Sequence, residues 1–116
     1  MKMTALYERI SREDRNEGES FSILRQKEYL EAYAAANGFE NCRHYTDDGF
    51  SGRSFERPGW QQMMTDIDSG KIGTVLVKDM SRVGRDYLQT GFYTEIYFKE
   101  KDVRFIAIDS HVDNSR

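Results

Sequence analysis

Thr74-Val75-Leu76-Val77, running on into Lys78-Asp79-Met80-Ser81-Arg82-Val83-Gly84-Arg85-Asp86, decides the fold. The first four residues are apolar or β-branched with no polar alternation, the pattern of a parallel strand buried on both faces. Such a strand needs helices above and below it. Its polar exit, with two arginines around a glycine, then falls at the carboxyl end of a sheet, where α/β folds gather their sites.

Working outward, Thr4-Ala5-Leu6-Tyr7 reads as a first short strand, Cys42 to Thr46 as a second, and Val103 to Ile108 as the last. Helices fill the intervals. Ser20 or Ser22 caps one that runs to about Ala36 and stops at Asn37-Gly38, with Ile23, Leu24, Leu30, Tyr33 and Ala34 on its apolar side. Pro58 opens another, through Met63, Met64 and Ile67 to Ser69-Gly70. A third spans about Tyr87 to Glu100. Ser11 to Ser20 lacks any apolar side chain and reads as a loop, as does Asp47 to Arg57. The expected fold is α/β, a mostly parallel four- to five-stranded sheet with helices on both faces.

Three polar segments therefore converge on one sheet edge. Ser11 follows the first strand, the Asp47–Arg57 loop follows the second, and Ser81, Arg82 and Arg85 follow the third. A serine among arginines points to chemistry on a phosphate, because a planar guanidinium forks onto phosphate oxygens and stays charged. There is no Gly-x-Ser-x-Gly elbow. His44 and His111 lack metal-ligand spacing and read as structural, so no metal site is expected.

Composition limits the alternatives. The chain has 116 residues, a net charge of −3 and a pI near 5.4, so any contact with a polyanion must be local. Cys42 stands alone, which excludes an internal disulfide, and is expected as a small core residue. No apolar run approaches the roughly 20 residues of a membrane span, and with no leader pattern the cytoplasm is the default. Trp60, Phe92, Tyr93, Tyr97 and Phe98 are expected in the core or at a subunit contact rather than stacking on bases.

In order along the chain, Tyr7-x-Arg9-x-Ser11, Ser22-x-x-x-Gln26, Asp47…Ser51-Gly52, Arg57-Pro58-Gly59 and Ser81-Arg82-Val83-Gly84-Arg85-Asp86 resemble the catalytic domain of serine recombinases. That family includes resolvases, invertases and large integrases and transposases. Lys78-Asp79-Met80-Ser81-Arg82 is most similar to the large recombinases of mobile elements. The resemblance implies that Ser11 is the nucleophile, attacking a DNA phosphodiester to give a 5′-phosphoserine link and a free 3′-hydroxyl. It implies that Arg9, Arg57, Arg82 and Arg85 hold the scissile phosphate, with Tyr7 and Gln26 in support. Small resolvases carry an aspartate where this chain has Ser81, which leaves open whether Asp79 handles the proton.

The resemblance further implies site-specific DNA recombination without metal, ATP or other cofactor. It implies a homodimer that pairs into a tetramer on DNA, and an oligomerisation helix and DNA-binding domains beyond residue 116. Physical chemistry agrees on the central point: several fixed cations stabilise charge building on a phosphate's non-bridging oxygens without a metal. A covalent intermediate conserves the bond for rejoining. The alternative, favoured by Ser81, is a non-catalytic phosphate-binding, nucleic-acid-binding or oligomerisation module on the same fold.

Overall fold

In the computed structural model, residues 2–12 and 22–115 are described. Five strands form one sheet: β1 (Met3–Ile10), β2 (Cys42–Asp48), β3 (Ile72–Val77), β4 (Arg104–Ala107) and β5 (Val112–Asp113), in the order β2-β1-β3-β4-β5. The first four are parallel, and β5 turns back antiparallel on β4. Helix α1 (Ile23–Ala36) joins β1 to β2, and α2 (Pro58–Asp68) joins β2 to β3. Between β3 and β4 run α3 (Met80–Val83), α4 (Tyr87–Gly91), a π-helical segment (Phe92–Tyr97) and α5 (Phe98–Glu100). The expected strand–helix order and parallel sheet are both present. Ser22 is the N-cap of α1, its side chain accepting from Arg25 N. The competing cap Ser20 and most of the expected Ser11–Ser20 loop lie outside the described residues.

Strand side chains alternate between faces, and β1 shows what each face meets. Leu6 packs with Leu30 and Ala34 of α1, Leu76 of β3 and Ile106 of β4. Ala5 and Tyr7 join the larger cluster on the other face, with Trp60 and Met63 of α2, Val75, Val77, Phe98 and Phe105. Full burial of each large apolar side chain contributes about 1.5–3 kcal/mol, so helices are needed on both faces. Trp60 anchors the second layer, with its ring edge-on to Tyr7 and Tyr93 at 5.2 Å from each.

Two expectations about individual side chains need correction. Leu24 is 65% exposed, and α1 instead turns Gln26, Leu30 and Ala34 inward. Those three recur every fourth residue on one face, while Leu24 lies well around the helix from them. Cys42 is exposed rather than a core residue, because it opens the sheet's edge strand where packing has not yet begun. Of the aromatic group, Trp60 and Phe98 are buried, Tyr93 and Tyr97 pack partly against the core, and Phe92 lies exposed outside it.

Candidate active site

The site begins where β1 ends. Ser11 follows Ile10 directly and is 6% exposed. Two residues earlier, the Arg9 backbone is gripped from α1: Arg9 N donates to Gln26 Oε1 at 3.2 Å, and Gln26 Nε2 donates to Arg9 O at 3.1 Å. Arg82 Nη1 donates to the same carbonyl at 3.1 Å. A buried amide side chain thus completes backbone hydrogen bonds at the last turnoff before the serine, where unpaired groups would each cost about 1–3 kcal/mol.

Arg9 is fully buried, and its guanidinium is met by carbonyls rather than carboxylates. Nε donates to Arg82 O at 3.2 Å, Nη1 to Phe50 O at 2.8 Å and Nη2 to Ser81 O at 2.6 Å. Burial, then the positive charges of Arg57, Arg82 and Arg85, push its pKa down to about 10. Gly52 permits this packing, since a Cβ there would stand 2.9 Å from Arg9 Nη2.

Arg57 is buried beside it. Its Nε donates to Ser54 O at 2.7 Å, Nη2 to Val83 O at 2.6 Å and Nη1 to the Tyr7 hydroxyl at 3.0 Å. The guanidinium lies over the Phe55 ring, 4.5 Å from its centroid. Tyr7 donates in turn to Asp47 Oδ2 at 2.8 Å, and Asp47 accepts the backbone N–H groups of Gly59 and Trp60 at 2.8 and 2.9 Å. Burial pushes the Tyr7 hydroxyl well above its ordinary range, so it stays a neutral donor. Asp47, facing Arg9 across the β1–β2 register, is the buried carboxylate that ties strand, arginine and α2 together.

The third segment is organised by Asp79. Its carboxylate accepts from Ser81 N at 3.0 Å and from Ser81 Oγ at 2.5 Å, and Lys78 Nζ lies 3.1 Å away. Lys78 also reaches Asp109 at 3.0 Å. Burial alone would raise Asp79, but the Ser81 and Lys78 hydrogen bonds and the Arg82 charge outweigh it and hold the carboxyl below its usual value. Asp79 is therefore an anionic brace for the turn bearing Ser81 and Arg82. Arg82 Nε is buried without a hydrogen-bond partner, and Asp79 Oδ1 is 3.8 Å from it.

These loops enclose an open cleft of about 750 Å³, lined by Ser11, Arg12, Phe50, Ser51, Arg53 and Arg85 among others. Of the residues expected at the site, Ser11 and Arg85 stand on the cleft wall. Arg9 lies behind Gly52, while Arg57 and Tyr7 form the network beneath, and Gln26, Asp79 and Ser81 act from the sides. Three of the four expected arginines thus have guanidinium nitrogens on backbone carbonyls. Asp47, Arg12 and Arg53 are participants that the residue types alone did not single out. Asp47 stood at the head of a loop and of the Asp47…Ser51-Gly52 motif with no role assigned, and Arg12 was marked only by adjoining Ser11. Among the described residues, no group of three or more His, Cys, Asp or Glu is placed to hold a metal, and no helix is long and apolar enough to cross a membrane.

The mostly parallel sheet thus brings a serine and several arginines together at the carboxyl ends of its strands, within one α/β domain. Residues 4–116 match the family described as "Resolvase, N terminal domain", and the chain belongs to that family. It is similar to the N-terminal catalytic domain of TP901-1 integrase: 34% identity, 99% of this chain and 83% of that one covered, TM-score 0.87. It is also similar to a resolvase family site-specific recombinase from Streptococcus pneumoniae, with 32% identity, 100% and 78% coverage and a TM-score of 0.80. A putative DNA recombinase of Bacillus subtilis (strain 168) is 27% identical over 114 residues. That match takes in 97% of this chain but spans only 22% of the relative's length.

Proposed function

We propose that this chain is the catalytic domain of a serine recombinase that cuts and rejoins DNA during site-specific recombination, with Ser11 as nucleophile. The observation that carries the reading is the cleft itself: Ser11 and Arg85 share its wall, and Arg9, Arg57 and Arg82 lie immediately around it. Ser11 Oγ attacks the phosphorus of a DNA phosphodiester. The bond to the 3′-oxygen breaks, leaving a phosphoserine link to the 5′ end and a free 3′-hydroxyl. Reversal by a 3′-hydroxyl from another strand rejoins the backbone and releases Ser11, so neither ATP nor water enters the balance.

The arginines stabilise the negative charge that builds on the non-bridging oxygens, and loss of one such donor is expected to cost about 10²–10³ in rate. Arg85 is the arginine of the four on the cleft wall, and Arg82 retains an unpartnered Nε. Arg9 and Arg82 take up the phosphate by exchanging carbonyl partners for its oxygens. In this reading the protein acts as a homodimer that pairs into a tetramer on DNA, and Asp79 supports Ser81 and Arg82 rather than serving as the proton acceptor.

One observation favours a second reading. Arg9 and Arg57 are buried with donors on carbonyls, as befits a structural core of a non-catalytic phosphate-binding or oligomerisation module. Incubating the protein with its recombination site and denaturing the mixture separates the two. A covalent protein–DNA adduct is expected, and none from Ser11→Ala. Adduct formation by Ser11→Ala at the wild-type level removes the nucleophile assignment, while its absence from both proteins favours the non-catalytic module.

A further inference from the structure

The arginines free to meet a ligand are largely not those expected from the motif. Arg9 and Arg57 are buried against backbone carbonyls, and Arg82 donates to Arg9 O. Arg12 and Arg53, by contrast, are exposed on the cleft wall with Arg85, and neither forms an ion pair among the described residues. Each comes from a different sheet-edge segment, Arg12 after β1, Arg53 after β2 and Arg85 after β3.

The backbone beneath Arg53 is pinned. Arg53 N donates to Ser51 Oγ at 2.9 Å, and the preceding Gly52 carbonyl accepts from Arg85 N at 2.7 Å. Gly52 itself packs on the Arg9 guanidinium. The Arg53 side chain is thus presented from a turn tied directly to the segment carrying Arg85. Glu56 is the acidic residue on the same wall, against three arginines, in a chain whose net charge is −3. Among the described residues that line the cleft, arginines outnumber acids three to one.

We propose that Arg12 and Arg53 are DNA-binding residues that grip phosphodiesters flanking the one at Ser11, an inference that rests on reading the cleft as a DNA site. The cleft, at about 750 Å³, is much larger than a single phosphate, so it accepts a run of sugar–phosphate backbone rather than one group. Arg12 and Arg53 lie on its wall beyond the buried arginine network and project planar donors suited to phosphate oxygens. They supply sequence-independent grip and register, which phosphate contacts provide, and not choice of site.

Salt dependence counts such contacts, because each neutralised phosphate releases condensed counterions and steepens the fall of log K with log salt by about 0.9 for duplex DNA. The test measures binding of a fluorescent random-sequence duplex to the chain over a salt series, for wild type, Arg12→Gln, Arg53→Gln and Arg104→Gln. Arg104 pairs with Asp113 at the start of β4, on the opposite edge of the sheet, and serves as control. Circular dichroism verifies that all four fold. The expected result is a slope shallower by about 0.9 in each cleft variant and unchanged in Arg104→Gln. Wild-type binding with unaltered slopes in both cleft variants, or an equal loss in Arg104→Gln, overturns the inference and leaves the DNA reading standing. No salt-dependent binding by the wild type overturns both.

Discussion

Gln26 and Arg9 exchange two hydrogen bonds across 17 residues of sequence, side-chain amide to backbone amide, at the point where β1 delivers the chain to Ser11. A helix side chain thereby acts as a short extra strand. We expect Gln26→Leu to leave the Arg9 N–H without this acceptor and its carbonyl with one donor fewer, lowering stability by about 1–3 kcal/mol. Urea unfolding measures the loss, and faster hydrogen exchange at the Arg9 amide locates it. Equal exchange rates in variant and wild type would show that the pair contributes nothing there.

Asp47 is the anionic centre of the network that includes Tyr7, Arg57, Gly59 and Trp60. Asp47→Ala removes an acceptor from three donors at once and leaves Arg57 without that nearby charge. A destabilisation of about 1–3 kcal/mol for each buried donor left unsatisfied is expected. Asp47→Asn, which keeps one carbonyl oxygen, is expected to fall between Ala and wild type in thermal unfolding.

Gly52→Ala tests how closely the cleft wall sits on the arginine behind it. The added Cβ would meet Arg9 Nη2 at 2.9 Å and Arg85 Cγ at 3.2 Å, while Arg9 is already fixed by three carbonyls. Overpacking of this sort costs about 1–3 kcal/mol. We expect adduct formation with DNA to fall more than this stability loss explains, because both displaced side chains belong to the site. A variant with full activity would show that Arg9 is free to move aside.

Glu8 lies on the opposite face of β1, fully buried, accepting from Thr46 Oγ1 at 2.8 Å, with His44 Nδ1 2.6 Å from its other oxygen. His44 Nε2 is also 2.6 Å from Glu31 of α1, and Lys27 adds a positive charge nearby. Burial raises the Glu8 pKa despite these partners. The folded state therefore holds this proton more tightly than the unfolded chain does. The linked contribution to stability is greatest below the unfolded value and declines as pH rises through the raised folded one. Urea midpoints taken from about pH 4 to about pH 8 should show that decline in wild type and a weaker one in Glu8→Gln. Identical profiles would remove Glu8 as the source.

The parallel sheet was legible because Thr74–Val77 and Thr4–Tyr7 display their burial in residue type alone. So was the gathering of Ser11, Arg57, Arg82 and Arg85 near one edge, since strand direction fixes where each exit lies. The inward face of α1 was not. Gln26 is buried because its partners are backbone groups in β1, whereas the apolar Leu24 is left in solvent. The working state of Arg9 was equally hidden, as its three carbonyl partners lie 41 to 73 residues away and carry no side-chain signature. Residue type reveals that a guanidinium is present but not what it touches.

Carbonyl groups offer dipoles, not formal charge. Arg9, fixed by Phe50, Ser81 and Arg82 carbonyls, is therefore oriented without being neutralised, and its depressed pKa records first its burial and then the crowding of Arg57, Arg82 and Arg85 around it. A carboxylate in the same place would have competed with any incoming anion. The folded backbone instead holds like charges together, and on the proposed reading a bound phosphate would relieve that repulsion.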